Sequence, residues 1–236
     1  MDEPFLEARA ALSDVRDVMR FAISRFNDSG VFFGHGSDNA HDEAAYLVGF
    51  ALHLQPEILD TYQDARLTPS EMDATLNLIE QRIRERVPSA YLTHEAWLAG
   101  YRFYVDERVL VPRSFIAELL VERLSPWVAD PARITSALDM CTGGGSLAIL
   151  LALNFPYAAV DAADISPAAL EVARRNVADY GLSDQVSLVQ SDMFSALEGR
   201  RYDLIISNPP YVNAASMQTL PEEYLHEPRL ALAGGE

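Results

Sequence analysis

The chain has 236 residues, 49% hydrophobic and 22% charged, with 35 acidic against 18 basic side chains and a formal net charge of −17. This composition fits a soluble globular protein with one good core and a small appended domain, and its acidity repels a phosphate backbone while attracting a basic protein. A single cysteine, Cys141, excludes an intramolecular disulfide framework and fits a reducing compartment, so a cytoplasmic location is expected.

Met1-Asp2-Glu3-Pro4 lacks the basic start of a signal peptide, and the longest nearly apolar run, Ala44 to Leu54, is too short to span a bilayer. No membrane role is expected. The first 88 residues read as helical. Leu12, Val15, Met19, Ala22, Ile23 and Phe26 recur at three- and four-residue spacing, the stripe of an amphipathic helix that stops near Asn27-Asp28-Ser29-Gly30. A second helix is predicted from Asn39 toward His53. A third opens at Thr68-Pro69-Ser70-Glu71, where Thr68 caps, Pro69 suits the first turn and Glu71 completes a capping box. The expected result is a small helical domain over residues 1–96.

From Trp97 to Val111 the pattern turns aromatic and β-branched around Gly100 and Asp106-Glu107, which predicts a β-hairpin linker over residues 97–113. Trp97, Tyr101, Phe103 and Tyr104 are assigned to hairpin packing, because no basic surround makes them a base-stacking platform. Past Pro112 a helix is predicted from Ser114 to Leu124. Strands near Ile134–Met140, Ala158–Ile165, Val186–Gln190 and Asp203–Ser207 then alternate with helices, giving a parallel α/β sheet over residues 114–236.

The first of these strands ends in Leu138-Asp139-Met140-Cys141-Thr142-Gly143-Gly144-Gly145-Ser146, a strand, a tight turn and a helix start. Glycine there lets the backbone approach a ligand where a Cβ would collide. Nineteen residues after Gly145, Asp164 ends the second strand, the place for a carboxylate that holds a ribose diol. After the third strand, in Gln190-Ser191-Asp192-Met193, Asp192 is placed to meet an adenine amino group and Met193 to pack on the ring. Each feature alone has a plain structural explanation: helix packing for the turn, an N-cap for either aspartate. Their order along the chain is what points to a nucleoside cofactor. Dinucleotide enzymes share the turn and the acid, but here Cys141 stands at the first glycine place of G-x-G-x-x-G, and Gly143, Gly144 and Gly145 are contiguous.

The fourth strand runs into Asn208-Pro209-Pro210-Tyr211 at the carboxyl edge of the sheet, where ligands bind in open α/β folds. An isolated Pro-Pro pair is ordinarily only a turn. In this position, Pro209 offers a carbonyl without a competing N–H, and the Asn208 side-chain oxygen offers a second acceptor. Two acceptors grip a planar NH2 group and turn its lone pair toward a methyl donor, with geometry in place of a general base. Tyr211 is expected to stack on the target and exclude water. His35, His41, His53, His94 and His226 lack close pairing, and no metal is expected.

On these motifs the chain resembles the N(5)-glutamine methyltransferases, which modify a glutamine of peptide release factors or of a large-subunit ribosomal protein. The resemblance covers nearly the whole chain. Val109-Leu110-Val111-Pro112-Arg113 is similar to the family's segment before the core. It continues Ser114-Phe115-Ile116-Ala117-Glu118 in place of the Pro-Glu-Thr-Glu usual in release-factor enzymes. With Tyr91-Leu92-Thr93-His94-Glu95-Ala96-Trp97 and Phe103-Tyr104-Val105-Asp106, this looks like the branch that methylates large-subunit ribosomal protein three.

The resemblance implies a Rossmann-like class I fold, S-adenosylmethionine as cofactor and S-adenosylhomocysteine as product. It places Cys141 through Gly145 around the methionine part, Asp164 at the ribose and Met193 at the adenine, with Asp139, Asp192 and Asn208 also expected in the cofactor site. Asn208 through Tyr211 would hold the glutamine, with Leu110 and Arg113 nearby. Family members continue past Ala231-Leu232-Ala233-Gly234-Gly235-Glu236, so an incomplete sheet is expected, ordered three, two, one, four. Its last strand would be an exposed edge through which two copies could pair. Three other readings stay open: a release-factor enzyme, an adenine N6 methyltransferase on nucleic acid, or a chain that binds cofactor without turnover. The acidic charge argues against the nucleic-acid reading.

Overall fold

The computed structural model describes residues 3–235; Met1, Asp2 and Glu236, which entered the readings of the two chain ends, lie outside the described residues. The chain forms two compact units, Met1–Thr93 with Pro221–His226, and His94–Leu220 with Glu227–Glu236. Two features differ from the sequence expectation. The hairpin read as a linker belongs to the sheet unit, and the short downstream segment Pro221–His226 belongs to the helical one.

The helical unit contains α1 (Glu3–Ala11), α2 (Val15–Asp28), α3 (Ala40–Leu52), α4 (Pro69–Arg84) and α5 (Ser89–Thr93), with a 3₁₀ segment at Pro56–Tyr62. The long helices start where their caps predict. The Asp14 carboxylate accepts the Asp17 N–H at 2.9 Å, Asn39 accepts from Asp42 at 3.0 Å, and Thr68 and Glu71 form the reciprocal capping box. Leu12, counted in the first stripe, lies in the break between α1 and α2. Sequence reading missed α1 because it buries only Phe5 and Ala8, too few positions for a periodic signal. The core gathers Val18, Ala22, Phe26, Ala44, Leu47, Leu76 and Ile79, all fully buried.

Within that unit Arg82 is 1% exposed. Its guanidinium donates to Glu43 at 2.6 Å, to Glu223 at 3.3 Å and to the Phe32 carbonyl at 2.7 Å. Glu223 also accepts the Phe32 N–H at 3.0 Å, so Pro221–His226 is held by a buried ionic cluster. No hydrophobic period announces such an anchor.

The sheet unit opens with the antiparallel hairpin β1 (Glu95–Leu98) and β2 (Tyr101–Tyr104), then α6 (Ile116–Val121). The predicted Ser114–Leu124 helix is shorter than expected, because Arg123 and Leu124 turn into the left-handed region. A parallel sheet follows from β3 (Ser136–Met140), β4 (Ala159–Asp164), β5 (Val186–Gln190) and β6 (Leu204–Ser207), ordered β5-β4-β3-β6. Helices α7 (Ser146–Asn154) and α8 (Pro167–Asp179) make the crossovers, and the short α9 (Ala214–Met217) and α10 (Arg229–Leu232) follow the last strand. This is the expected order, with β6 paired only to β3 among the described strands.

Helix α7 buries Leu147 through Ala152 without interruption. Each large side chain there contributes about 1.5–3 kcal/mol of apolar burial, which fixes the helix against the sheet. The register then aligns the strand ends: Met140 pairs with Ala163 and with Ser207, and Asp164 pairs with Gln190. Residues 141–145, 164–166, 191–193 and 208–210 therefore leave the sheet side by side.

Candidate active site

At these aligned ends lies a cavity of about 270 Å³. Of the residues singled out from sequence, Leu110, Arg113, Cys141, Thr142, Gly143, Gly144, Asp164, Asp192, Met193, Asn208 and Pro210 line it. Asp139, Gly145, Pro209 and Tyr211 do not, and each absence has a local reason.

Asp139 is fully buried beneath the turn. One carboxylate oxygen accepts the Thr142 hydroxyl at 2.6 Å, and the other has no hydrogen-bond partner. Burial pushes its pKa up to about 7, the Asp164 charge adds to the rise, and the Thr142 hydroxyl and the Ala148 N–H at the start of α7 oppose it. Gly145, at φ +82, packs against α8: a Cβ would stand 3.1 Å from that of Ala173. Tyr211 is 76% exposed and Pro209 is exposed at the rim.

The glycine turn and Asp164 are built together. The Asp164 carboxylate accepts the Gly143 N–H at 2.8 Å and the Ser166 N–H at 2.9 Å. Cys141 and Gly143 both adopt left-handed φ, +61 and +54, so a cysteine occupies a conformation that favours glycine. Burial first, and then the Asp164 charge, raise the Cys141 thiol pKa, which keeps it protonated. A Cβ on Gly143 would meet no atom within 4 Å, so the backbone there is open to the cavity.

Ser191 shapes the third strand end. Its hydroxyl donates to the Met193 carbonyl at 2.6 Å and accepts the Ala196 N–H at 3.0 Å, holding Met193 at φ +47 with its thioether half exposed. At the fourth strand end, the Ser207 hydroxyl donates to the Met140 carbonyl at 2.9 Å. Neither the Asn208 side chain nor the Pro209 carbonyl has a hydrogen-bond partner among the described residues.

Sequence reasoning missed three supports. Asn176, 2% exposed, accepts the Tyr104 N–H at 2.8 Å and donates to the Tyr104 carbonyl at 3.0 Å and to the Gly144 carbonyl at 2.8 Å, joining hairpin, α8 and glycine turn. Arg108 forks onto Asp106 at 2.9 and 2.6 Å, which also receives the Tyr104 hydroxyl at 2.9 Å, and so fixes the loop that enters the cavity at Val109. The Arg113 guanidinium is engaged by Glu227 at 2.7 and 2.6 Å. Arg113 therefore builds the wall beside Leu110. Among these, Asn176 had a readable signal, as the polar intruder in the apolar stripe of α8.

Among the described residues no cluster of His, Cys, Asp and Glu could hold a metal ion, and no helix is long and apolar enough to cross a membrane.

Residues 116–235 match the family model described as the methyltransferase small domain. The chain is 61% identical over 227 residues to the ribosomal protein uL3 glutamine methyltransferase of Bordetella pertussis, covering 96% of this chain and 76% of that protein. It is 57% identical over 228 residues to the protein of that name from Burkholderia pseudomallei, covering 94% and 74%. With the Neisseria meningitidis serogroup A protein of the same name it shares 55% identity over 231 residues, covering 98% and 76%. With the cavity at the carboxyl ends of a parallel sheet and identity of this extent over nearly its whole length, the chain belongs to the ribosomal protein uL3 glutamine methyltransferase family.

Proposed function

We propose that this enzyme transfers a methyl group from S-adenosylmethionine to the side-chain amide nitrogen of a glutamine in ribosomal protein uL3. The relatives' names supply the substrate. The observation that carries the chemistry is the pair of unpartnered acceptors, Asn208 Oδ1 and the Pro209 carbonyl, beside the glycine turn, since Met140 and Ser207 are in register.

The residues fit the cofactor. Gly143 leaves open space where a side chain would project, and the cavity wall is mostly apolar. Cys141 through Gly144 would surround the methionine part, Asp164 the ribose hydroxyls, and Asp192 and Met193 the adenine. Each Asp164 oxygen keeps a lone pair beyond the one its backbone partner uses. When bound, the cofactor supplies an electrophilic methyl group on a sulfonium centre.

The protein's part is orientation. An amide nitrogen is a poor nucleophile because its lone pair is delocalised. Asn208 and Pro209 accept its two N–H bonds, which holds the amide face toward the donor and replaces the hydration it loses on entry. Neither acceptor is a base of useful strength, so the surplus proton leaves through water at the open rim. Tyr211, exposed next to Pro210, covers the glutamine as it enters. Asp139, buried beneath the turn, acts through Thr142 rather than by touching a ligand, while Arg113 lines the cavity in the grip of Glu227. The net charge of −17 suits a basic ribosomal protein, and a substrate of that kind supports a cytoplasmic location.

The test is incubation of the chain with methyl-labelled cofactor and unmethylated uL3, with a release factor and an adenine-containing duplex as competitors. Label on a uL3 glutamine is the expected result. Label on the release factor or on adenine instead would overturn the substrate.

A further inference from the structure

Between Pro228 and Gly235 the chain runs as a strap past the Asn208-Pro209-Pro210-Tyr211 segment, and Pro228, Leu230, Ala231 and Ala233 line the cavity. One end is latched by Glu227. Its buried carboxylate accepts the Val111 N–H at 3.1 Å as well as both terminal nitrogens of the Arg113 guanidinium. The other end pairs as a parallel bridge: the Val212 N–H donates to the Leu232 carbonyl at 3.0 Å, and the Gly234 N–H donates to the Val212 carbonyl at 2.9 Å.

Gly234 is where strap and clamp come closest. A Cβ at this position would stand 2.9 Å from the Pro210 carbonyl oxygen, 2.9 Å from Tyr211 Cα and 3.1 Å from the Tyr211 carbonyl carbon. All three are backbone atoms, so no side chain can swing aside. Gly234 is not in the left-handed region, so its backbone conformation does not demand glycine. Closeness alone does.

We propose that Gly234 is a positioning residue of the amide clamp. With no side chain, it lets the strap seat directly on Pro210 and Tyr211, which sets where the Pro209 carbonyl and Asn208 stand relative to the donor. An alanine would force the two backbones apart by about half an ångström, the tolerance within which catalytic groups must be held. The activity consequence rests on the glutamine-amide reading above; the seating of the strap does not.

The test is Gly234→Ala in the full chain, with Gly234→Val as the larger step. The expected result is a fall in kcat for uL3 methylation of roughly 10- to 100-fold, deeper for valine, with cofactor affinity by calorimetry within about twofold of the parent. Amide exchange at Val212 should speed by about tenfold or more while that of Ala137–Met140 in β3 is unchanged. A parental kcat in Gly234→Ala, unchanged exchange at Val212, or equal loss of protection in β3 would each overturn the proposal. If the parent does not methylate uL3, the substrate reading fails, and exchange at Val212 alone decides whether Gly234 seats the strap.

Discussion

The Asp164 carboxylate accepts the Gly143 N–H at 2.8 Å, tying the end of β4 to the turn that follows β3. One side chain thus shapes the glycine turn and, in the proposed cofactor site, meets the ribose. Because the Ser166 N–H takes its other oxygen, the carboxylate is oriented before any ligand arrives.

Asp164→Ala removes charge-assisted acceptors from both roles. The expected effect is a loss of about 3 kcal/mol, roughly a hundredfold rise in the dissociation constant for S-adenosylmethionine measured by calorimetry. An unchanged affinity would remove Asp164 from the cofactor site.

Asn208→Ala deletes one of the two proposed substrate acceptors and leaves the glycine turn intact. Turnover should fall by about a hundredfold or more while the cofactor dissociation constant stays within roughly twofold, since the lost contact matters chiefly in the transition state. Steady-state kinetics beside calorimetry separates the two quantities, and parallel losses in both would contradict the clamp.

Much of the sheet unit was legible in the sequence, for a physical reason. A buried parallel strand, a glycine turn and a strand-end acid are each written in a few consecutive residues, and they follow one another in order along the chain. The partners of the supports were not legible, even where Asn176 itself stood out in its helix, because they act across long separations. Asn176 reaches Gly144 and Tyr104, Glu227 reaches Arg113, and Gly234 meets Pro210, pairings that only the folded chain creates. The same holds in the helical unit. The Thr68 capping box is written in four consecutive residues, whereas the Glu223 anchor joins Arg82 from the far end of the chain.

Arg82→Ala would leave Glu43 and Glu223 buried with their shared cation gone. Glu223 keeps Arg86 at 3.3 Å and Glu43 keeps the Ser89 hydroxyl, but losing the buried guanidinium between them still costs about 3–5 kcal/mol, and the helical unit should show it as a fall in its urea midpoint, read from exchange at Phe26 and Leu76. Arg82→Met combined with Glu43→Gln and Glu223→Gln removes the charges together and should recover much of the loss. Failure of the triple variant to recover would mean that the hydrogen bonds, rather than the charge balance, hold the segment.

Asp139 gives a pH prediction whose sign follows from burial. Its folded pKa is raised to about 7 from an unfolded value of 3.8, so between those values the folded chain retains a proton that the unfolded chain has released. Stability therefore falls as pH rises through that window and flattens above about 7. Asp139→Asn keeps an oxygen for the Thr142 hydroxyl and never ionises, so it should lack this slope. The stability difference, variant minus parent, should grow by roughly 2–3 kcal/mol between about pH 5 and pH 8 in urea unfolding, in favour of the variant at the higher pH. A difference independent of pH would show that Asp139 ionises as an ordinary carboxylate.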